Sequence, residues 1–177
     1  MRRDEILDHL KEVGRLLDED GLTGEMYVVG GAAIALLFDE RRSTRDVDAV
    51  FEPKRAIYDA AARVAAARDL PAGWLNDAVK GFVAGPDAGS AVVLEVPGLR
   101  VASASPRILL AMKVLSHRTG EDEDDVRLLA AELRLSSPVE VLSLAADVYG
   151  DRLEPAARFF VEQLFQSSTA PPEVRDR

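Results

Sequence analysis

Two aspartates one residue apart, Asp46 and Asp48, open the run Asp46-Val47-Asp48-Ala49-Val50-Phe51 in a chain of 177 residues. Side chains at i and i+2 of a strand share a face, so the spacing predicts two adjacent carboxylates about 7 Å apart at their Cα atoms. Such a pair suits magnesium or manganese, hard cations that take oxygen ligands and complete their shells with substrate phosphates. Two such ions about 4 Å apart would clamp the attacking and leaving oxygens of a phosphoryl or nucleotidyl displacement. Upstream, the apolar run Met26-Tyr27-Val28-Val29 enters Gly30-Gly31 and then a helix. Unobstructed backbone N–H groups at that junction would receive phosphates. Arg42, Thr44 and Arg45 add donors beside the carboxylates, suited to a nucleoside triphosphate. Each piece has a plainer reading: Asp-x-Asp as a solvated strand end, Gly-Gly as a tight turn.

The elements that position these residues follow from periodicity. Ile6, Leu7, Leu10, Val13, Leu16 and Leu17 recur at helical spacing over residues 5–17. A strand at 26–29, a helix at 32–38 and a strand at 46–51 flank the charged turn 39–45, and an Ala-rich helix covers 54–68. Gly73 to Asp77 reads as the opening of a short helix, and 85–89 as a polar loop. Ala91–Val96 and Leu99–Ala104 flank Pro97-Gly98, which suits a type II turn, so they are expected to pair antiparallel. That gives four strands.

From Ser105 the pattern is wholly helical. Ser105-Pro106 and Ser137-Pro138 read as N-cap followed by Pro at N1, with helices expected at 106–118, 122–134, 138–148 and 153–166 and a polar tail after 167. Lys113 sits among Ile108, Leu109, Leu110, Met112, Val114 and Leu115. It reads either as a snorkelling lysine covering the core or as a phosphate contact. The acids from Glu121 to Asp125 complement a helix N-terminus. Glu95 is the nearest third acid for a metal, and equally an exposed strand residue. Trp74 reads as core rather than as a base-stacking platform, and His9 and His117, far apart and without ligand spacing, as surface or capping residues.

Composition narrows the partners. Lys and Arg total 22 against 31 Asp and Glu, a net charge of −9, so nucleic acid would need a local basic patch. Arg41, Arg42 and Arg45, joined by Arg100, Arg107 and Arg118, are the residues available for a basic lip. With no Cys, thiolate zinc sites, disulfides and thiol nucleophiles are excluded. The charged N-terminal run has no signal-peptide or membrane-span character, so a cytoplasmic protein without a membrane partner is expected.

The chain resembles the nucleotidyltransferase fold, and within it the bacterial AbiE-type and MenT-like toxin nucleotidyltransferases. The resemblance is carried by Val29-Gly30-Gly31, by Arg42-x-Thr44-x-Asp46-x-Asp48, and by Lys113, Arg118, Asp122 and Asp125, over about residues 25 to 130. It implies that Gly30 and Gly31 bind nucleotide phosphate, that Asp46 and Asp48 bind magnesium, and that Lys113 with Asp122 or Asp125 completes the catalytic set. It further implies transfer from an NTP to a tRNA 3′ end or a protein hydroxyl, with a cognate antitoxin as partner. The turn here is Gly-Gly where the polymerase-like pattern has Gly-Ser, and no third acid is clearly marked.

The expected architecture is therefore α/β: a nucleotidyltransferase-like small mixed sheet flanked by helices at 1–104, followed by a helical subdomain at 105–177. The expected activity is magnesium-dependent nucleotidyl transfer. A catalytically silent member of the fold, binding a nucleotide or a partner as a regulatory module, is the alternative.

Overall fold

The computed structural model describes residues 1–38, 42–82 and 85–167, and the chain divides into two compact units, Met1–Ser105 and Pro106–Arg177. The division falls one residue from the boundary expected where strand patterns give way to helix. Arg41, and the polar tail after Ser167, lie outside the described residues.

The first unit is a mixed α/β layer. Helix α1 (Arg3–Glu19) buries Ile6, Leu10, Val13, Leu16 and Leu17, the stripe its sequence carries. Each such side chain taken out of water contributes about 1.5–3 kcal/mol. Strand β1 (Gly24–Val28) leads through α2 (Gly30–Leu37) to β2 (Val47–Glu52), then α3 (Lys54–Arg68), a two-residue β3 (Leu75–Asn76), β4 (Ala91–Val96) and β5 (Leu99–Ser103). The sheet order is β3-β2-β1-β5-β4. β1 runs antiparallel to β2 and parallel to β5, β2 runs parallel to β3, and β4 and β5 form the expected antiparallel hairpin.

Five strands form rather than four, because Leu75 and Asn76 pair with Val47 and Asp48 instead of opening a helix. The short helix does follow, as a 3₁₀ turn at Ala78–Gly81. Trp74 decides this locally: its buried ring donates Nε1–H to the Ala61 carbonyl at 3.0 Å, pinning the chain beside α3. The hairpin turn needs glycine at position 98, where φ is +78° and a Cβ would stand 2.2 Å from the Gly14 carbonyl oxygen.

Alternation along the strands gives the sheet two unlike faces. Met26, Val28, Val47, Ala49, Phe51, Leu99 and Val101 are buried in the core. Glu25, Tyr27, Asp48, Val50, Glu52, Arg100 and Ala102 occupy the opposite face and are exposed or half-buried. His9, expected at the surface, is instead buried edge-on against Trp74. It sits one turn after Glu5 on the buried stripe of α1, and its Nδ1 meets an Arg68 N–H at 2.8 Å.

The second unit comprises α4 (Pro106–Ser116), α5 (Glu123–Glu132), α6 (Pro138–Tyr149) and α7 (Pro155–Ser167). Helix α4 packs against the other three, which explains why it is apolar nearly all round. Ser137 caps α6 as expected, its hydroxyl accepting the Glu140 N–H. Among the described residues, no helix is long and apolar enough to cross a membrane.

Candidate functional site

The Gly-Gly junction and the Asp-x-Asp run meet at one end of the sheet's open face. Val29 N–H donates to the Asp48 carbonyl at 2.9 Å, which sets β2 beside the end of β1. Gly30 has φ +64°, and a Cβ there would stand 3.3 Å from Asp48 Oδ2. Asp48 therefore holds its carboxylate close over the first residue of α2, where a Cβ would press against it. A Cβ on Gly31 would likewise stand 3.3 Å from Thr44 Oγ1. Both glycines face a polar group across the junction.

Thr44 organises the loop before β2. Its N–H donates to the Met1 carbonyl at 2.9 Å, and its hydroxyl donates to the Asp46 carbonyl at 2.9 Å. That hydroxyl proton is engaged, so Thr44 shapes the loop here rather than offering a free phosphate donor. Asp46 also departs from expectation: it lies in a bend just before β2, so only Asp48 is on the strand. The i, i+2 geometry of a regular strand does not apply to the pair. Asp46 and Arg42 are half-buried and Arg45 is exposed, so all three remain at the loop surface.

Glu95 does not join this site. Strand register runs Glu95↔Arg100↔Glu25↔Glu52 across four strands, and Glu52 is four residues beyond Asp48 on β2. The third acid is thus at the opposite end of the sheet, about 13 Å along the strand direction before any sideways separation. Arg100 lies in the same distant row and leaves the expected basic lip. Within the second unit, Arg107 pairs with Asp147 at 3.6 Å and Arg118 with Glu121 at 3.2 Å. Asp77, next to Asn76, is no substitute for Glu95. Lys54 and Tyr58 take its carboxylate and hold it at a pKa of about 2.

A carboxylate that motif reading passes over is nearer. Asp87, in the loop before β4, accepts the Tyr27 hydroxyl at 2.7 Å, Ser105 N–H at 2.7 Å and Gly89 N–H at 3.1 Å. Burial raises its pKa, but these bonds outweigh that effect and leave it below the ordinary aspartate value. The local signal was Asp87-Ala88-Gly89, an Asx turn. Its long-range partner Tyr27, 60 residues away, carried none.

The donor set fits a divalent cation in one way. Among the described residues, no three His, Cys, Asp or Glu side chains cluster as metal ligands. Asp48, with Asp46 beside it, would hold magnesium only with substrate phosphates completing the shell, the usual habit of that ion.

In the second unit, Lys113 does not snorkel to water. It is 8% exposed, and its ammonium lies 2.6 Å from Asp122 Oδ1 and 2.8 Å from Asp125 Oδ2, both buried. Ser116 hydroxyl donates to Asp122 Oδ2 at 2.8 Å, and Arg118 adds backbone and guanidinium bonds at 3.1 and 3.3 Å. Burial pushes the Asp122 carboxyl up, and the Lys113 and Ser116 bonds pull it further down, below its ordinary value. Both aspartates serve Lys113, and most acids of 121–125 remain exposed or half-buried, complementing the N-terminus of α5.

No family model matches the chain, and no curated protein or solved structure was found similar to it.

Proposed function

We propose that this protein binds a nucleoside triphosphate with magnesium at the Gly30–Asp48 junction and transfers its nucleotide to an acceptor hydroxyl. The observation that carries the reading is the Asp48 carboxylate standing over Gly30, where a strand end, a helix N-terminus and a charged loop converge. Gly30 and Gly31 would admit the phosphates close to backbone N–H groups, and Arg42 and Arg45 would neutralise them. Asp48 and Asp46 would hold the cation. Magnesium, when bound, offsets phosphate charge and makes the attacking hydroxyl more acidic. The acceptor oxygen bonds to the α-phosphorus, the bond to the bridging oxygen breaks, pyrophosphate leaves, and the hydroxyl proton passes to a carboxylate or to solvent.

The resemblance to AbiE-type and MenT-like proteins adds a tRNA 3′ end or a protein hydroxyl as acceptor, and the toxin role beside a cognate antitoxin. In this reading Lys113 would complete the catalytic set, oriented by Asp122 or Asp125. One fold hosts many functions, so acceptor and role rest on that likeness alone.

A silent nucleotide-binding module is the second reading, favoured by the absence of a third ligating carboxylate at the junction among the described residues. One experiment separates the two: incubation with magnesium, each labelled NTP and total RNA or lysate, beside Asp46→Ala and Asp48→Ala. Label transfer that both variants lose is the expected result. Magnesium-dependent binding without transfer would favour the module, and absence of both would overturn the nucleotide reading.

A further inference from the structure

The open face of the sheet holds more than Asp48. Tyr27 stands opposite Val50 on β2 and Ala102 on β5, and the three lie in a depression of about 310 Å³ whose rim includes Glu25, Glu52 and Arg100. The Tyr27 phenol is tethered by Asp87, itself tied to the end of β5 through Ser105. An aromatic ring beside two small or branched side chains, with its far end fixed, is a surface suited to a flat apolar ligand.

The rim's charges are only partly answered: Glu52 accepts the Lys54 N–H at 3.3 Å. Glu25 stands directly opposite Glu52 on one side and Arg100 on the other, yet among the described residues neither Glu25 nor Arg100 makes an ion pair. Like charges directly opposite each other destabilise a strand pair. The fold gains nothing from Glu25 facing Glu52, while a ligand offering N–H donors would.

The depression is also in register with the junction. Val50 is two residues from Asp48 on the same face, about 7 Å along the strand. Charge sets the direction of a bound nucleotide, because the glutamate rim repels phosphate while Arg42, Arg45 and the α2 N-terminus attract it.

Resting on the nucleotide reading above, we propose that this depression is the nucleoside subsite: the base stacks on Tyr27, and its amino-bearing edge meets Glu25 and Glu52. Carboxylates only accept hydrogen bonds, so adenine, cytosine and guanine, which present an exocyclic amino group, are selected over uracil, whose single N3–H donor lies between two carbonyl acceptors that the glutamates repel. Asp87 is a positioning residue that fixes the ring.

The test is titration of the intact protein, with magnesium, against ATP, CTP, GTP and UTP. UTP is expected to bind at least about tenfold more weakly than the best of the other three. Glu25→Gln with Glu52→Gln, two exposed positions where folding is retained, should narrow that gap. Tyr27→Leu should weaken all four by about tenfold, the loss expected for a stacking platform, and Tyr27→Phe by less. A structural role for these residues would not change the ranking of bases. If Asp48→Asn abolishes binding while the tyrosine and glutamate variants bind all four like wild type, the subsite is overturned and the nucleotide reading stands. If UTP binds as tightly as the others to wild type, base selection by the rim is overturned. If wild type binds none of the four, both readings fall.

Discussion

The two units each bring aspartates and a basic residue together, but to opposite electrostatic ends. At the Gly30–Asp48 junction the carboxylates of Asp46 and Asp48 are half-buried and Arg45 stands exposed. Around Lys113 the fold supplies its own counter-ions: a buried ammonium is answered by Asp122 and Asp125, and Arg118 shares Asp122. Breaking a buried ion pair exposes the desolvation cost of the charge left behind, whereas an exposed carboxylate carries little stability of its own. The first arrangement keeps its charges partly accessible to solvent, and the second encloses an ammonium between carboxylates.

The contrast breaks most visibly at Lys113. Lys113→Ala should destabilise the protein by about 3–5 kcal/mol, because two buried carboxylates lose their cation. Denaturant melts would show this, and a loss under 1 kcal/mol would mean that the cluster relaxes into water. Asp48→Asn should remove the stabilisation by magnesium and NTP, about 2.7 kcal/mol at a hundredfold excess over Kd. A shift that survives Asp48→Asn would move the ligand away from the junction. Gly30→Ala forces a Cβ onto φ +64° and against Asp48, and should cost about 1 kcal/mol or more together with nucleotide affinity.

The smallest effects are in pH. His9 has its pKa lowered from 6.5, by burial first and by Arg68 second. Below pH 6.5 the unfolded chain takes up a proton that the native state refuses, so this contribution is full above 6.5 and falls as pH drops through the native pKa. Asp122 is lowered from 3.8, so its contribution is full above 3.8 and is lost only as pH falls below that value. His9→Gln should therefore flatten the melting profile between pH 7 and 5 without altering the loss in stronger acid. If the profile keeps its slope, another group titrates there.

Much of this was legible in the sequence because it depends on local physics. Helical spacing gave α1 and α3, Pro97-Gly98 gave the hairpin, Ser137-Pro138 gave the start of α6, and Gly-Gly before a helix with Asp-x-Asp after it marked the junction. Glu95 shows where such reading ends. Its residue type and strand were right for a third acid, but register places it at the far end of the sheet, and register is fixed by which strands pair. Asp46 shows the same at shorter range, since a bend moved the strand start by one residue and removed the i, i+2 relation.

The sequence by itself determined most of the elements (though not β3), the division into a mixed α/β unit and a helical unit, and the residue types available for phosphate and metal chemistry. Only the tertiary structure decided which of them meet: Asp48 over Gly30, Tyr27 with Asp87 across 60 residues, and Lys113 enclosed by Asp122 and Asp125. Periodicity and capping act over a few residues and leave a trace at each position. Pairing across strands and burial of charge depend on where the whole chain is brought by packing, and no local pattern records that.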